Sequence, residues 1–246
     1  AEAGIGGLEL DLNVHDNTVS GFADGLGFYQ CEPNNEACSY GIFSSIRAVG
    51  NNLTNNVAGI NFTGAIDDLI TTIEVHHNRL FGNTTGLNNL TYGGDMVTPI
   101  PITAENNWWG CNTGPDTSGC DASDLTGSVD FDPWLVLTAT LPPTPIQAGD
   151  GAALVANLNT NSLDEDTSTG GFYVPNTTSA DFTADFGNLN PVSSAFALGL
   201  ANSTYTAPTS ETTDHVCVTV DSEAVCSDLV VEPLPVFTVF LPLINR

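Results

Sequence analysis

Two carboxylates side by side, Asp67 and Asp68, stand a short way ahead of a histidine pair, His76 and His77. A second acid–base pair, His15 and Asp16, precedes them. Adjacent carboxylates with histidines in reach are what a hydrolase uses as general acid and base, and what a cation site uses as ligands. Basic groups to go with them are scarce: the chain has no lysine and three arginines, Arg47, Arg79 and Arg246. Arg47 stands at a polar position between apolar residues and Arg79 follows a turn asparagine, so both are expected in solvent. Asp130 and Asp132 look structural. No Ser/His/Asp set, phosphate-cradling glycine loop or dense Ca²⁺ loop is present. The expectation is outward turn residues, with no catalytic set, no metal and no cofactor.

The six cysteines form three close pairs: Cys31/Cys38, Cys111/Cys120 and Cys217/Cys226. Each lies in a loop or hairpin, so local pairing is expected among the 15 connectivities that six cysteines allow. Zinc-type C-x-x-C spacing and converging histidines are absent. Three local disulfides imply an oxidising, extracellular or cell-surface setting. Six N-x-[ST] sequons agree with it and mark Asn52, Asn61, Asn83, Asn89, Asn176 and Asn202 as candidate N-glycosylation sites. Ala1 is expected to follow a removed signal segment.

With 29 acidic residues and a formal charge of −26, nucleic acid and anionic membranes are poor partners, because both need basic surface. No apolar run reaches the roughly 18 residues of a membrane-spanning helix. The 41% hydrophobic content and 12 phenylalanines allow a sizeable core.

The element that would position these groups is a repeat anchored on Asn17, Asn51, Asn78 and Asn107. Five residues before each anchor lies Leu12, Ile46, Ile73 or Ile102, and three before lies Val14, Ala48, Val75 or Ala104. Two after lies Val19, Leu53, Leu80 or Trp109. Eight after the first three comes Gly25, Gly59 or Gly86, each followed by Leu26, Ile60 or Leu87. His15 and His76 hold the same place, two before their anchors. Constant internal spacing with loops of variable length marks stacked coils. Leu8 to Val14 alternate as a half-buried strand does, and each unit reads as short strands between Asn/Gly turns. The asparagine suits an αL turn, and four in register would bond along a ladder.

These residues resemble the right-handed parallel β-helix of the pectin-lyase-like superfamily. The segment AENNWWGCNTGP…GSVDFDPWL (Ala104–Leu135) looks like the terminal coil of secreted β-helix repeat proteins, with the Trp pair packing the end of the stack. The superfamily carries lyases, which the resemblance implies need a basic residue, and glycosidases, which need converging carboxylates. Against those requirements the residues above fall short, and a polysaccharide lyase or hydrolase is the least favoured reading.

The fold class expected is all-β: a short right-handed parallel β-helix over residues 1–135, then an antiparallel immunoglobulin-like β-sandwich over 136–233. A Pro/Gly-rich stretch, Thr140–Gly151, follows the junction. Strands are expected at Ala153–Leu158, Gly171–Val174, Phe182–Phe186, Ser194–Leu200, Val216–Val220 and Ala224–Val231. The last two read as a hairpin about Asp221-Ser222 that Cys217 and Cys226 cross-link. Residues 234–246 form an apolar terminal strand whose Val236, Phe237, Val239, Phe240, Leu241, Leu243 and Ile244 must bury somewhere. Four coils with an open first edge and a spare strand are complementary surfaces on one chain, the condition for a head-to-tail polymer by strand donation. The functional expectation is therefore a secreted structural subunit of an extracellular filament whose partners are copies of itself. The alternative is a monomeric adhesion or carbohydrate-binding module for cell-surface glycans.

Overall fold

A computed structural model describes residues 9–29, 42–65, 72–92, 100–122 and 128–235. The protein is all-β. Among the described residues the one helical element is a 3-10 turn at Ser168–Gly170, and no helix is long and apolar enough to cross a membrane.

Each of the first three coils supplies three strands. They are β1 (Glu9–His15), β2 (Thr18–Ser20) and β3 (Asp24–Tyr29); β4 (Ile42–Val49), β5 (Asn52–Thr54) and β6 (Ala58–Ala65); and β7 (Thr72–His76), β8 (Arg79–Phe81) and β9 (Thr85–Tyr92). The fourth coil adds β10 (Ile102–Thr103), and Val129–Asp130 forms β11. Like strands pair in parallel from coil to coil, giving sheets ordered β1-β4-β7-β10-β11, β2-β5-β8 and β3-β6-β9. The register is that of the repeat: Leu12, Ile46 and Ile73 align, as do Val19, Leu53 and Leu80, and Leu26, Ile60 and Leu87. Two differences from the sequence reading stand out. The residues after the first three anchors are a strand of their own rather than a turn, and β11 gives the first sheet a fifth rung.

The corners explain the spacing. The residue before each anchor is left-handed (Asp16, Gly50, His77 and Asn106, φ 57°, 64°, 57° and 55°), and so is the residue four after the first three anchors (Gly21, Asn55 and Gly82, φ 82°, 57° and 74°). The anchor asparagines are not the αL residues they were expected to be. The preceding residue makes the turn, which aims the asparagine side chain into the stack. There Asn17 Nδ2 donates to Asn51 Oδ1 (2.9 Å), Asn51 Nδ2 to Asn78 Oδ1 (2.9 Å) and Asn78 Nδ2 to Asn107 Oδ1 (3.0 Å). The backbone N–H of Asn17, Asn51 and Asn78 donates to the same oxygens. Buried amides cost little when each finds its partner. A second ladder runs one corner on: Phe22 N–H to Asn56, Asn56 to Asn83, and Asn83 to the carboxylate of Asp121.

The recurring glycine has a packing cause. A Cβ on Gly25 would lie 2.5 Å from the Gly59 carbonyl oxygen, and one on Gly59 would lie 2.5 Å from that of Gly86. Coils cannot close to strand spacing around any larger residue.

The second half builds two sheets. Its strands are β12 (Leu135–Thr140), β13 (Ile146–Gln147), β14 (Gly151–Asn161), β15 (Ser179–Ala184), β16 (Asn188–Asn190), β17 (Ser193–Ala195), β18 (Leu200–Thr206), β19 (Thr212–Val220) and β20 (Glu223–Glu232). The sheets are ordered β12-β14-β18-β16 and β13-β20-β19-β15-β17, antiparallel except where β13 meets β20. Leu137, Leu154, Ala156 and Tyr205 of the first share one core with Phe182, Val216, Val218, Leu229 and Val231 of the second. The expected hairpin about Asp221-Ser222 is present. The expected strand at Gly171–Val174 is not: Gly171 is left-handed (φ 72°), and Phe172 is turned toward the coils. Strand β18 was missed because its inward face is Ala201, Ser203 and Tyr205, which carries little apolar alternation. The one fully buried carboxylate here, Asp214, accepts N–H groups of Asp185, Phe186 and Gly187 and the Tyr205 hydroxyl. Burial beside that carboxylate pushes the Tyr205 hydroxyl above its ordinary range.

The Trp pair does not pack the stack together. Neighbours on a strand point to opposite sides, so Trp109 enters the coil core and Trp108 the core of the second half.

Candidate functional site

The chemistry-bearing residues of the coils gather where the second half lies against them. Arg47, on β4, faces Glu74 on β7, with Nε 3.1 Å from Glu74 Oε2. The same Nε is 3.3 Å from His76 Nε2, and the guanidinium carbon lies 4.8 Å from the centre of the Phe172 ring. His76 Nδ1 is 3.1 Å from His77 Nδ1, and both rings contact Phe172. Burial first, then the Arg47 charge, lowers the His76 pKa against the pull of Glu74. Burial, then His76, brings His77 down to about 4, so the His77 ring is neutral at pH 7.

The tautomers follow from the donors. Arg47 donates to His76 Nε2, so His76 carries its proton on Nδ1 and gives it to His77 Nδ1. That leaves the proton of His77 on Nε2, which is buried and has no hydrogen-bond partner among the described residues. Beside this relay runs a groove of about 430 Å³, lined by Glu105, Asn161, Glu165 and Phe172 among others. Burial and the charges of Asp130 and Asp132 raise the Glu105 pKa. A second groove, of about 560 Å³ and holding His15 and Asp16, lies across Phe172.

The paired-carboxylate constellation does not assemble among the described residues. Asp67 and Asp68 lie outside them, and the Val49 rung stands between His15 and His76. His15 is exposed and bonds its neighbour Asp16 at 2.8 Å.

Arg79 is the clearest correction: it is a clamp, not a solvated side chain. It is forked onto Asp221 at the tip of the β19–β20 hairpin, with Nε 2.9 Å from Oδ2 and Nη2 on Oδ1. The two side chains are 17% and 5% exposed, and removing one partner would strand a charge. Arg79 Nη1 also reaches Asn52 Oδ1 at 2.9 Å, and Trp108 Nε1 donates to Asp221 Oδ2 at 2.7 Å. Ser222 N–H donates to the Gly110 carbonyl and Asn112 N–H to Glu223. Arg47 likewise is no free cation, though it is 39% exposed.

Cys111–Cys120 and Cys217–Cys226 are disulfides, with Cα atoms 5.4 and 4.1 Å apart; Cys31 and Cys38 lie outside the described residues. The sequons divide. Asn176 and Asn202 are exposed, and Asn61 is half-buried with Nδ2 on Asp24. Asn52, Asn83 and Asn89 are buried, and their Nδ2 atoms donate to Thr177, to Leu53 and Asp121, and to Ile100 and Ser128. A glycan on any of these three requires those bonds to open. The apolar strand Val236–Ile244 lies outside the described residues.

Sequence reading missed Asp121, whose carboxyl burial pushes up to about 6 against its bonds from Asn83. Asparagine five residues after two anchors, at Asn56 and Asn83, was the available signal. It also missed His215, which stands beside the Cys217–Cys226 disulfide.

No family model matches the chain, and no curated protein matches it in sequence. Among solved structures, domains 4 and 5 of the S-layer protein SbsC are similar over 42% of this chain and 55% of that one, at 12% identity and a TM-score of 0.29. A second SbsC structure, rSbsC(31-844), is similar over 43% of this chain and 14% of that one, at 13% identity and a TM-score of 0.30. Similarity at that level carries no argument about fold or function.

Proposed function

We propose that the protein is a secreted structural subunit, a short right-handed β-helix followed by an immunoglobulin-like sandwich, that assembles head to tail into an extracellular filament. The observation that carries the reading is the first coil. Among the described residues, β1, β2 and β3 are all edge strands of their sheets. Leu12, Val19, Leu26 and Phe28 of this coil are only partly buried, whereas Leu53, Ile60, Leu80 and Leu87 behind them are fully buried. The amide ladder is polar, each asparagine donating to the next, so the Asn17 oxygen is its terminal acceptor. Parallel edges, half-covered apolar columns and an acceptor in register suit the addition of another strand. The apolar segment Val236–Ile244 of a neighbouring copy is the strand proposed to add there. Two disulfides fit an oxidising, extracellular setting.

Light scattering and negative-stain microscopy of the full chain test this. Concentration-dependent polymers are expected, and the paired changes Val239→Asp and Phe240→Asp should abolish them. A chain that stays monomeric at every concentration, whatever its tail, sinks the proposal. The second reading, a glycan-binding module, is favoured by the groove beside Phe172, since an aromatic ring among polar groups suits a sugar face. Loss of glycan-array binding on Phe172→Ala would support it. Catalysis is not favoured, because Arg79 is engaged with Asp221.

A further inference from the structure

We propose that the outward face of the β19–β20 hairpin is a thiol-gated binding site for a soft divalent cation of the zinc class. On that face His215 stands opposite Asp228, and on the adjoining rung Cys217 stands opposite Cys226. Strand alternation turns all four side chains the same way, away from buried Val216, Val218 and Leu229. His215 Nδ1 is 2.7 Å from Asp228 Oδ1, and its Nε2 is 3.2 Å from Cys217 Sγ. The carboxylate holds the proton on Nδ1 and so leaves the Nε2 lone pair directed at the sulfurs, the orientation that metal-binding histidines are given by their outer partners.

Ligand atoms of His215, Cys217 and Cys226 lie within 4.8 Å of one another. Ligands at about 2.3 Å (sulfur) and about 2.0–2.1 Å (nitrogen) from a tetrahedral zinc are themselves roughly 3.5–3.8 Å apart. Closing that gap needs the sulfurs to part and the side chains to rotate. The hairpin is also fixed, because its tip is clamped by Arg79 and Trp108, and sites on braced strands keep their geometry. The Cys111–Cys120 disulfide has threonines beside it, Thr113 and Thr117, and no such histidine contact.

The gate is a two-electron step. An external dithiol gives up two electrons and two protons and becomes a disulfide; the Cys217–Cys226 bond breaks, and each sulfur takes one proton. Cation binding then releases both protons, leaving two thiolates and a neutral imidazole around a dication, with water in the fourth position. In the oxidised protein the same rung is a cross-link and binds nothing.

The test reduces the full chain with a phosphine under inert gas and titrates it with Co²⁺ as a spectroscopic stand-in, followed by Zn²⁺. One Co²⁺ per chain with a thiolate-to-metal charge-transfer band, bleached by Zn²⁺, is expected after reduction, and no band before it. Cys217→Ser with Cys226→Ser should abolish the band. His215→Ala should weaken binding at least about tenfold and Asp228→Asn by about tenfold. A band that survives the double serine change, or an affinity unaltered by His215→Ala, overturns the proposal. If reduction costs the native far-ultraviolet spectrum, the cation should restore it, and failure to do so overturns the proposal equally.

Discussion

The two halves bury polar groups in opposite ways. In the coils, Asn51, Asn78, Asn107, Asn56 and Asn83 lie on lines, each satisfied by the coil beside it. In the second half, one carboxylate, Asp214, is a closed hub that gathers three backbone N–H groups and a hydroxyl. A hub is complete within one molecule. A line has ends: one is the Asn17 oxygen, and the second ladder stops on a charge, Asp121. The difference shows why one half reads as extendable and the other as finished: repeat stability is a sum over neighbours, and among the described residues no strand pairs with the outer edges of β1, β2 and β3.

The largest effect should come from the hub. Asp214→Ala takes the acceptor from four donors at a buried position and should cost more than about 4 kcal/mol in denaturant unfolding; a loss below about 1 kcal/mol would show that water replaces the carboxylate.

Next comes the charged end of the second ladder. The Asp121 carboxyl is raised in the folded state to about 6 from 3.8. The folded chain therefore holds its proton longer than the unfolded chain. The associated stability is present below pH 3.8 and lost as pH rises through about 6, on the order of 3 kcal/mol. Asp121→Asn should abolish that slope in stability measured from pH 3 to 7, and an unchanged slope would place the titration elsewhere.

The comparison sharpens within a single line. Asn78→Ala interrupts a ladder on both sides and should cost about 2–3 kcal/mol, whereas Asn17→Ala, at the end, should cost under about 1 kcal/mol. Equal losses in monomeric protein would mean that the first coil is no free end.

The junction histidine should act only through pH. His77 falls to about 4 from 6.5. As pH drops, the unfolded chain protonates first, so stability is lost from pH 6.5 down through about 4. His77→Asn keeps a residue that tolerates the left-handed corner. It should remove about 2 kcal/mol of the loss between pH 7 and pH 5, as followed by thermal melts; identical acid limbs would exonerate this ring.

Much of the coil architecture was legible in the residues. The Leu12, Val19 and Leu26 columns, the asparagine ladder and the glycine column all follow from constant spacing, because parallel coils in register place equal offsets above one another. The corner assignment was not legible. Asp, Gly, His and Asn all fill the left-handed place before the anchor, and the repeated asparagine drew attention to itself for a reason that proved to be hydrogen bonding.

The candidate site was less legible, because its contacts join parts of the chain that no local pattern relates. Arg79 and Asp221 are 142 residues apart, and Phe172 meets Arg47 from a segment that reads as a strand. Three sequons satisfy the acceptor pattern while their amides are spent inside the stack. By itself the sequence determined the all-β class, the coil register, the hairpin at Asp221 and the scarcity of basic groups, since these depend on spacing and composition. Only the tertiary structure decided which charges are free and which asparagines face solvent. It also decided which histidine stands by which disulfide, because burial and pairing are properties of the space between elements.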